Sequence, residues 1–433
     1  MNYHLLAKKN PSFRERFLLT ISLLSLVRIG NFISLPYVDL KVFSNLSAST
    51  NSSTTTVVTI LNTFSGGGAT SFSILSLGIL PYINASIFLQ LLTTTNAALQ
   101  KLQKEEGEYG RRKLNDYTRY LTLVFALIES LFTTFSLRSV IFEWSLISIV
   151  QISLTLIAGS MIVLWFSEII TKKGLGNGSS VLICFNIVSS FPDQLKTMGS
   201  ILVNQNLLIT LLLGMLFLLT TVGCIYINEA TVKIPLISAS QLLRKVSKTS
   251  LWNTSNLPLR VNQAGVMPLV FTSSAMVILS SVTQLAYKQL SIIEVFSFLN
   301  YIPKGLLLGA EKVLYWSLYS LLVFFFTSFY SKIILDPKDI AEQFRKNSVS
   351  IKGISPGIST QNYLLKIIKR LTLINAIFLI SIILFLNTLE FFLPINNLNL
   401  RGFGFTSQLI LVNVLIDTFR KAQNLLNMED RKQ

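Results

Sequence analysis

The chain has 433 residues, 51% of them hydrophobic and 13% charged, with a mean hydropathy of +0.58 and a formal net charge of +17. Soluble domains carry about 25% charged residues, so the composition excludes a water-soluble fold. A charge of +17 would also suit a nucleic-acid binder, and its distribution along the chain decides between that and membrane topology.

Apolar windows close to the roughly 20 residues that cross a bilayer recur near 16–36, 74–94, 118–137, 147–170, 178–196, 206–227, 264–286, 311–334, 370–392 and 405–426. Ten spans predict an all-α polytopic membrane protein. With the N-terminus inside, inner segments hold 29 of the 37 Lys and Arg, outer segments hold seven, and Arg28 lies within span one. The positive-inside rule therefore places both termini on the cytoplasm-like side and accounts for most of the basic surplus. The long basic inner loops would also suit an acidic partner such as ribosomal RNA.

Span one is too long for a cleavable signal and lacks a small-residue cleavage site. The outer segment after it contains "SASTNSSTTT" (Ser47 to Thr56), a low-complexity stretch that reads as a tolerant loop. Next comes "FSGGGATSFSILSLGILPYINASIFLQLL" (Phe64 to Leu92), which begins like a loop and ends like a helix buried in lipid. Within it, "INASI" sets Ile83 and Ile87 four apart on one helix face, a spacing repeated by Ile183 and Ile187 in "ICFNI". Ordinary core or lipid packing explains such pairs; so does a hydrophobic constriction that blocks water and ions by dewetting. "KKGLGNGSS" (Lys172 to Ser180) has the glycines of a phosphate loop but not the following lysine or a preceding strand, and reads as a tight turn between spans. The longest inner loops, about 228–263 and 335–369, both fall in the second half. Ten spans divide as five plus five near residue 200. An odd number per half inserts the halves in opposite orientations, as in inverted repeats.

Conventional chemistry is missing. The single histidine, His4, lies in the N-terminal tail, and Cys184 and Cys224 sit inside spans without a CxxC or Cys/His neighbour. No Walker loop or GxSxG occurs. The sequence therefore predicts no enzyme, no catalytic residue, no metal and no cofactor. Ionisable residues within spans mark coupled ion pathways, and few stand out here beyond those near span ends, chiefly Arg28, Glu129, Glu168 and Asp417. That weakens an inverted-repeat secondary transporter, the alternative function. A membrane scaffold without a conducted substrate is disfavoured by the glycine-rich segment before span two.

Several blocks resemble the SecY/Sec61-alpha family of protein translocation channels. They are "RIGNFISLPYVD" (Arg28 to Asp39), "LGILPYINASIFLQLL" followed by "LQKEEGEYGRRKLNDYTRYLTL" (Leu102 to Leu123), "SEIITKKGLGNGSS", "LPLRVNQAGVMP" (Leu257 to Pro268) and "RLTLINA" (Arg370 to Ala376). They occur in order over nearly the whole chain. The resemblance implies two inverted five-helix halves, 1–200 and 201–433, around a pore. It implies a re-entrant plug over about 62–72, including Asn62, Phe64, Gly66, Gly67, Gly68 and Phe72. Glycine suits such a segment because irregular backbone at membrane depth survives only where it lines a cavity or packs on protein. The pore ring would be Ile83, Ile87, Ile183, Ile187, Val270 and Ile410, all aliphatic here. Phe88 and Ile278 match lateral-gate positions, for which interhelical packing is an equally ordinary role.

The implied function is conduction of unfolded polypeptide across the membrane, with sideways release of apolar segments into lipid. Implied partners are SecE-like and SecG-like small membrane subunits, a SecA motor or the ribosome, the translocating chain and lipid. Docking candidates are Arg244, Lys245, Lys248, Arg345, Lys346 and Lys352. Where the family typically has an arginine between "GI" and "PG", this chain has Ser355. The block from Leu102 to Ser130 is most similar to the cyanobacterial and plastid branch, and the Asn-, Lys-, Ile- and Phe-rich composition suits an AT-rich plastid genome. A thylakoid membrane is expected, with a bacterial inner membrane as the alternative.

Overall fold

In a computed structural model the protein is described over residues 13–38, 73–104, 106–136, 144–189, 207–238, 256–265, 267–276, 304–392 and 405–430, with isolated positions between these segments. Each of the ten predicted spans contains a helix. In chain order the helices are α1 (Phe13–Gly30), α2 (Leu80–Thr95), the short α3 (Ala97–Lys104), α4 (Gly107–Ser136), α5 (Leu146–Lys173) and α6 (Gly178–Ser189). The second half adds α7 (Leu207–Glu229), α8 (Met267–Met276), α9 (Lys304–Ile334), α10 (Pro337–Lys346), α11 (Ile358–Phe392) and α12 (Phe405–Asp430). Among the described residues, three helical stretches are long and apolar enough to cross a membrane by themselves: Leu146–Lys173, Trp316–Lys346 and Ile358–Phe385.

The packing of α5 shows why such helices need lipid. Ile152, Leu156, Val163 and Ile170 are buried in protein, while Leu154, Ile162 and Trp165 on other faces are exposed. A helix apolar all round with one face covered by protein has a second apolar environment outside it.

The chain forms two compact units, residues 1–210 with 273–288 and 398–433, and residues 211–272 with 289–397. In the first, α4 packs on α2, α3 and α5, and α1 packs on α5 and α12. A charged clamp joins α4 to the C-terminal end of α5. Arg119 donates through Nε to Glu168 Oε1 at 2.6 Å and through Nη2 to Glu168 Oε2, which also receives Lys172 Nζ at 3.3 Å. The planar guanidinium meets the carboxylate with two parallel bonds, a geometry lysine cannot reproduce.

The inner loops of the second unit carry more regular structure than the sequence announces. Strands β1 (Thr231–Ser238), β2 (Asn256–Arg260) and β3 (Val349–Ile351) form an antiparallel sheet in the order β2-β1-β3. Pro235 lies in the central strand where β1 changes partner: residues 231–235 pair with β2 and 236–238 with β3, and its carbonyl still receives the Lys352 N–H at 3.4 Å. Ile234 and Leu236 alternate inward and join Leu259, Ile351, Leu364 and Leu371 in one buried cluster, against which Ile340 and Phe344 of α10 pack. A buried amide chain roots this sheet in the membrane helices. Asn375 Nδ2 donates to Asn262 Oδ1 at 3.2 Å, Asn262 Nδ2 to Asn228 Oδ1 at 2.6 Å, and Asn228 Nδ2 to the Cys224 carbonyl at 3.0 Å. It ties α7, the turn after β2 and α11 together.

The orientation is open to a direct test. A cysteine replacing exposed Lys338 on α10 is expected to react with an impermeant thiol reagent from the inner side, and one at Asn51 only from the outer side. The native Cys184 and Cys224 are buried and add little background. The reverse pattern would overturn the topology.

Candidate conducting site

The aliphatic residues expected to form a ring are held by helices that begin at well-defined turns. Between Ser73 and Ile79 the backbone makes successive turns, Ser76 N–H to Ser73 O at 3.0 Å and Gly78 N–H to Leu75 O at 2.9 Å, and then enters α2 with Pro81 in its first turn. Gly78 has φ +53, a conformation that favours glycine. Proline suits the first turn because its missing N–H would have had no helical partner there. Ile83 and Ile87 follow on α2, Ile183 and Ile187 on α6, Val270 on α8 and Ile410 on α12. Ile83, Ile183, Ile187, Val270 and Ile410 are buried, and Ile87 is half-buried. All but Val270 belong to the first unit. There, the turn into α6 lies against α12: a Cβ at Gly176 would stand 3.2 Å from Thr418 Cγ2.

The four ionisable residues singled out within the spans have separate surroundings. Glu129 accepts from Asn84 Nδ2, which joins α2 to α4 beside Ile83. Glu168 belongs to the Arg119 clamp, the Arg28 guanidinium stands 5.3 Å from the centre of the Phe32 ring, and Asp417 is exposed. They form no midplane cluster of the kind a coupled carrier uses. No metal-ligating group of three occurs among the described residues.

Phe88 is 43% exposed and meets Phe125 of α4 edge-on, with ring centroids 6.1 Å apart. Ile278, Arg244, Lys245, Lys248 and the segment from Asn62 to Phe72 lie outside the described residues. Of the docking candidates, Arg345 and Lys346 are exposed at the C-terminal end of α10, and exposed Lys352 follows β3 directly. Lys346 pairs with Glu342 at 3.1 Å, both side chains being more than half exposed. Ser355 is exposed too, and its carbonyl receives the Thr360 hydroxyl at 2.9 Å.

Sequence reasoning missed Asn228, Asn262 and Asn375, which are separated by up to 147 positions between the first and last. No periodicity marks them. The partner of Glu129 was equally hidden, although a glutamate within a span already signals that a partner exists.

The chain is similar over nearly its whole length to known proteins. The SecY family model matches residues 73–419. A protein translocase subunit SecY from Vaucheria litorea is 58% identical over 434 residues, covering 99% of each chain. One from Synechocystis is 40% identical, covering 95% of this chain and 91% of its own length. Among solved structures, a protein-conducting channel gives a TM-score of 0.65 at 15% identity, covering 98% of this chain and 95% of that one. Sec61 in the canine ribosome-channel complex gives 0.61 with the same coverage.

Proposed function

The chain belongs to the SecY family, and from that premise we propose how it conducts its substrate. It is the channel subunit of a protein translocase and not an enzyme. Six aliphatic side chains, Ile83, Ile87, Ile183, Ile187, Val270 and Ile410, form the constriction, a reading supported by the burial of all but Ile87. Aliphatic groups make no directional bonds, so the ring closes around any passing chain without holding it. An unfolded polypeptide passes through to the far side. A sufficiently apolar segment leaves sideways past Phe88 and Ile278, because apolar residues at mid-membrane gain a few tenths of a kcal/mol each while charged ones cost about 2.5–3.5 kcal/mol.

The two halves, 1–200 and 201–433, are inverted repeats, and residues 62–72 are the plug. SecE-like and SecG-like subunits stabilise the channel laterally. A SecA motor docks on the inner loops, using Arg345, Lys346 and Lys352 together with Arg244, Lys245 and Lys248; the ribosome is the other partner of matching charge. The protein resides in a membrane, and its relatives come from plastid-bearing algae and cyanobacteria. The thylakoid is the membrane we infer.

Burial of five of the six aliphatic positions carries this reading. Its test is reconstitution. Deleting Asn62 to Phe72 is expected to leave a folded channel that still translocates an unfolded precursor but leaks ions severalfold faster than the intact protein. A deletion that leaves conductance unchanged would remove the plug, and loss of precursor transport in the intact channel would remove conduction itself.

A further inference from the structure

The backbone that leads into α2 rests directly on another helix. The Ile74 N–H donates to Ile33 O at 3.0 Å, and Ser73 bridges Ser34 in an antiparallel contact. Against α5, a Cβ at Gly159 would lie 2.1 Å from the Ile74 carbonyl oxygen and 3.3 Å from Ile74 Cγ2. At the end of α1, a Cβ at Gly30 would lie 2.4 Å from Leu75 Cδ1. From this seat a run of backbone bonds continues through Gly78 to Leu75 at 2.9 Å and Leu80 to Leu77 at 3.4 Å. It ends where the Ile83 N–H donates to Ile79 O at 3.1 Å.

We propose that Gly159 is a positioning residue for the constriction: by letting the Ile74 backbone lie on α5, it sets the position of α2 and hence of Ile83 and Ile87. The inference rests on the ring reading above. A methyl group at Gly159 has to push the Ile74 carbonyl away by well over ~1 Å to reach an ordinary contact. The segment cannot absorb this locally. Leu77 and Ile79 are each 1% exposed, and Leu77 is locked in a cluster with Leu35, Ile141, Ile152 and Leu156. Close-packed interiors transmit such displacement, and the hydrogen-bonded run directs it to Ile83. Gly30 differs in kind, because its near neighbour is the tip of a leucine side chain that can rotate aside.

The experiment measures ion leak from vesicles bearing single variants, with thermal stability of each purified channel recorded in parallel. Gly159→Ala is expected to leak severalfold more than the unaltered channel, and Gly30→Ala to stay near it. Ile170→Ala, about three turns along α5 and fully buried, is expected to lower stability without added leak. Should Gly159→Ala fail to fold, Ile74→Gly loosens the same seat without added bulk and is expected to leak as well. Ile410→Asn serves as the ring control. If it leaks while Gly159→Ala, or Ile74→Gly in its place, stays sealed, the positioning role is wrong and the ring reading stands. The role is also wrong if Ile170→Ala leaks as much as Gly159→Ala, since lost stability then explains both. If Ile410→Asn itself stays sealed, the ring reading has failed and the positioning role falls with it.

Discussion

Ile410→Asn is expected to turn a sealed channel into one that conducts ions at rest. Ile410 is 2% exposed on α12, between buried Leu409 and half-buried Leu411. An aliphatic constriction excludes ions because a narrow apolar passage dewets. A carboxamide has one acceptor and two donors, and leaving them unpaired in such a place costs about 1–3 kcal/mol. Water entering the constriction removes that cost, so the variant favours the wet state. Ile410→Val keeps the chemistry and loses one methylene, and is expected to remain sealed. Ion flux in reconstituted vesicles separates the two. A sealed Ile410→Asn channel would mean that this residue packs against lipid or neighbouring helices and not around a passage.

Neutralising Arg345, Lys346 and Lys352 together is expected to reduce motor-driven import of a soluble precursor about tenfold, as lost contacts of a few tenths to one kcal/mol each add up. The fold explains how these cations are presented. Ile340 and Phe344 turn one face of α10 into the sheet's cluster, which leaves Arg345 and Lys346 exposed at its C-terminal end, where the helix dipole favours positive charge. The Glu342 pair does not sequester Lys346, because an exposed pair four residues apart is worth only about 0.3–0.5 kcal/mol. Ser355 supplies a hydroxyl and no charge, so the neighbouring cations are expected to carry the contact. Ser355→Arg should therefore raise import only modestly. The deficit of the triple variant should deepen as salt falls and screening weakens. Import unchanged across salt would move docking to the loop after α7 or to a partner other than SecA.

Much of the architecture was legible from single residues and short windows. Each predicted span holds a helix, although several edges moved: α4 begins at Gly107, because "GEYGRRKLNDY" continues the helix beyond the apolar window, and α11 begins at Ile358 for the same reason. Hydropathy marks where a helix meets lipid and not where it ends in water. In the sequence the long loops of the second half stand out only by their length and basic charge. Their strands were obscured because β3 is three residues long and its partner Leu236 precedes it by more than a hundred positions.

The sequence by itself determined the membrane environment, the succession of spans and the family, since these depend on local apolar length and on ordered motifs, and its charge distribution set the expected orientation. Only the tertiary structure decided that Asn262 links Asn228 to Asn375, that Asn84 meets Glu129, and that the backbone at Ile74 rests on Gly159. Each of these joins residues at least 34 positions apart, and no local pattern encodes such a meeting. A buried polar group or a missing side chain acquires its role from whatever the fold brings against it, because its cost or its space is set by the neighbour.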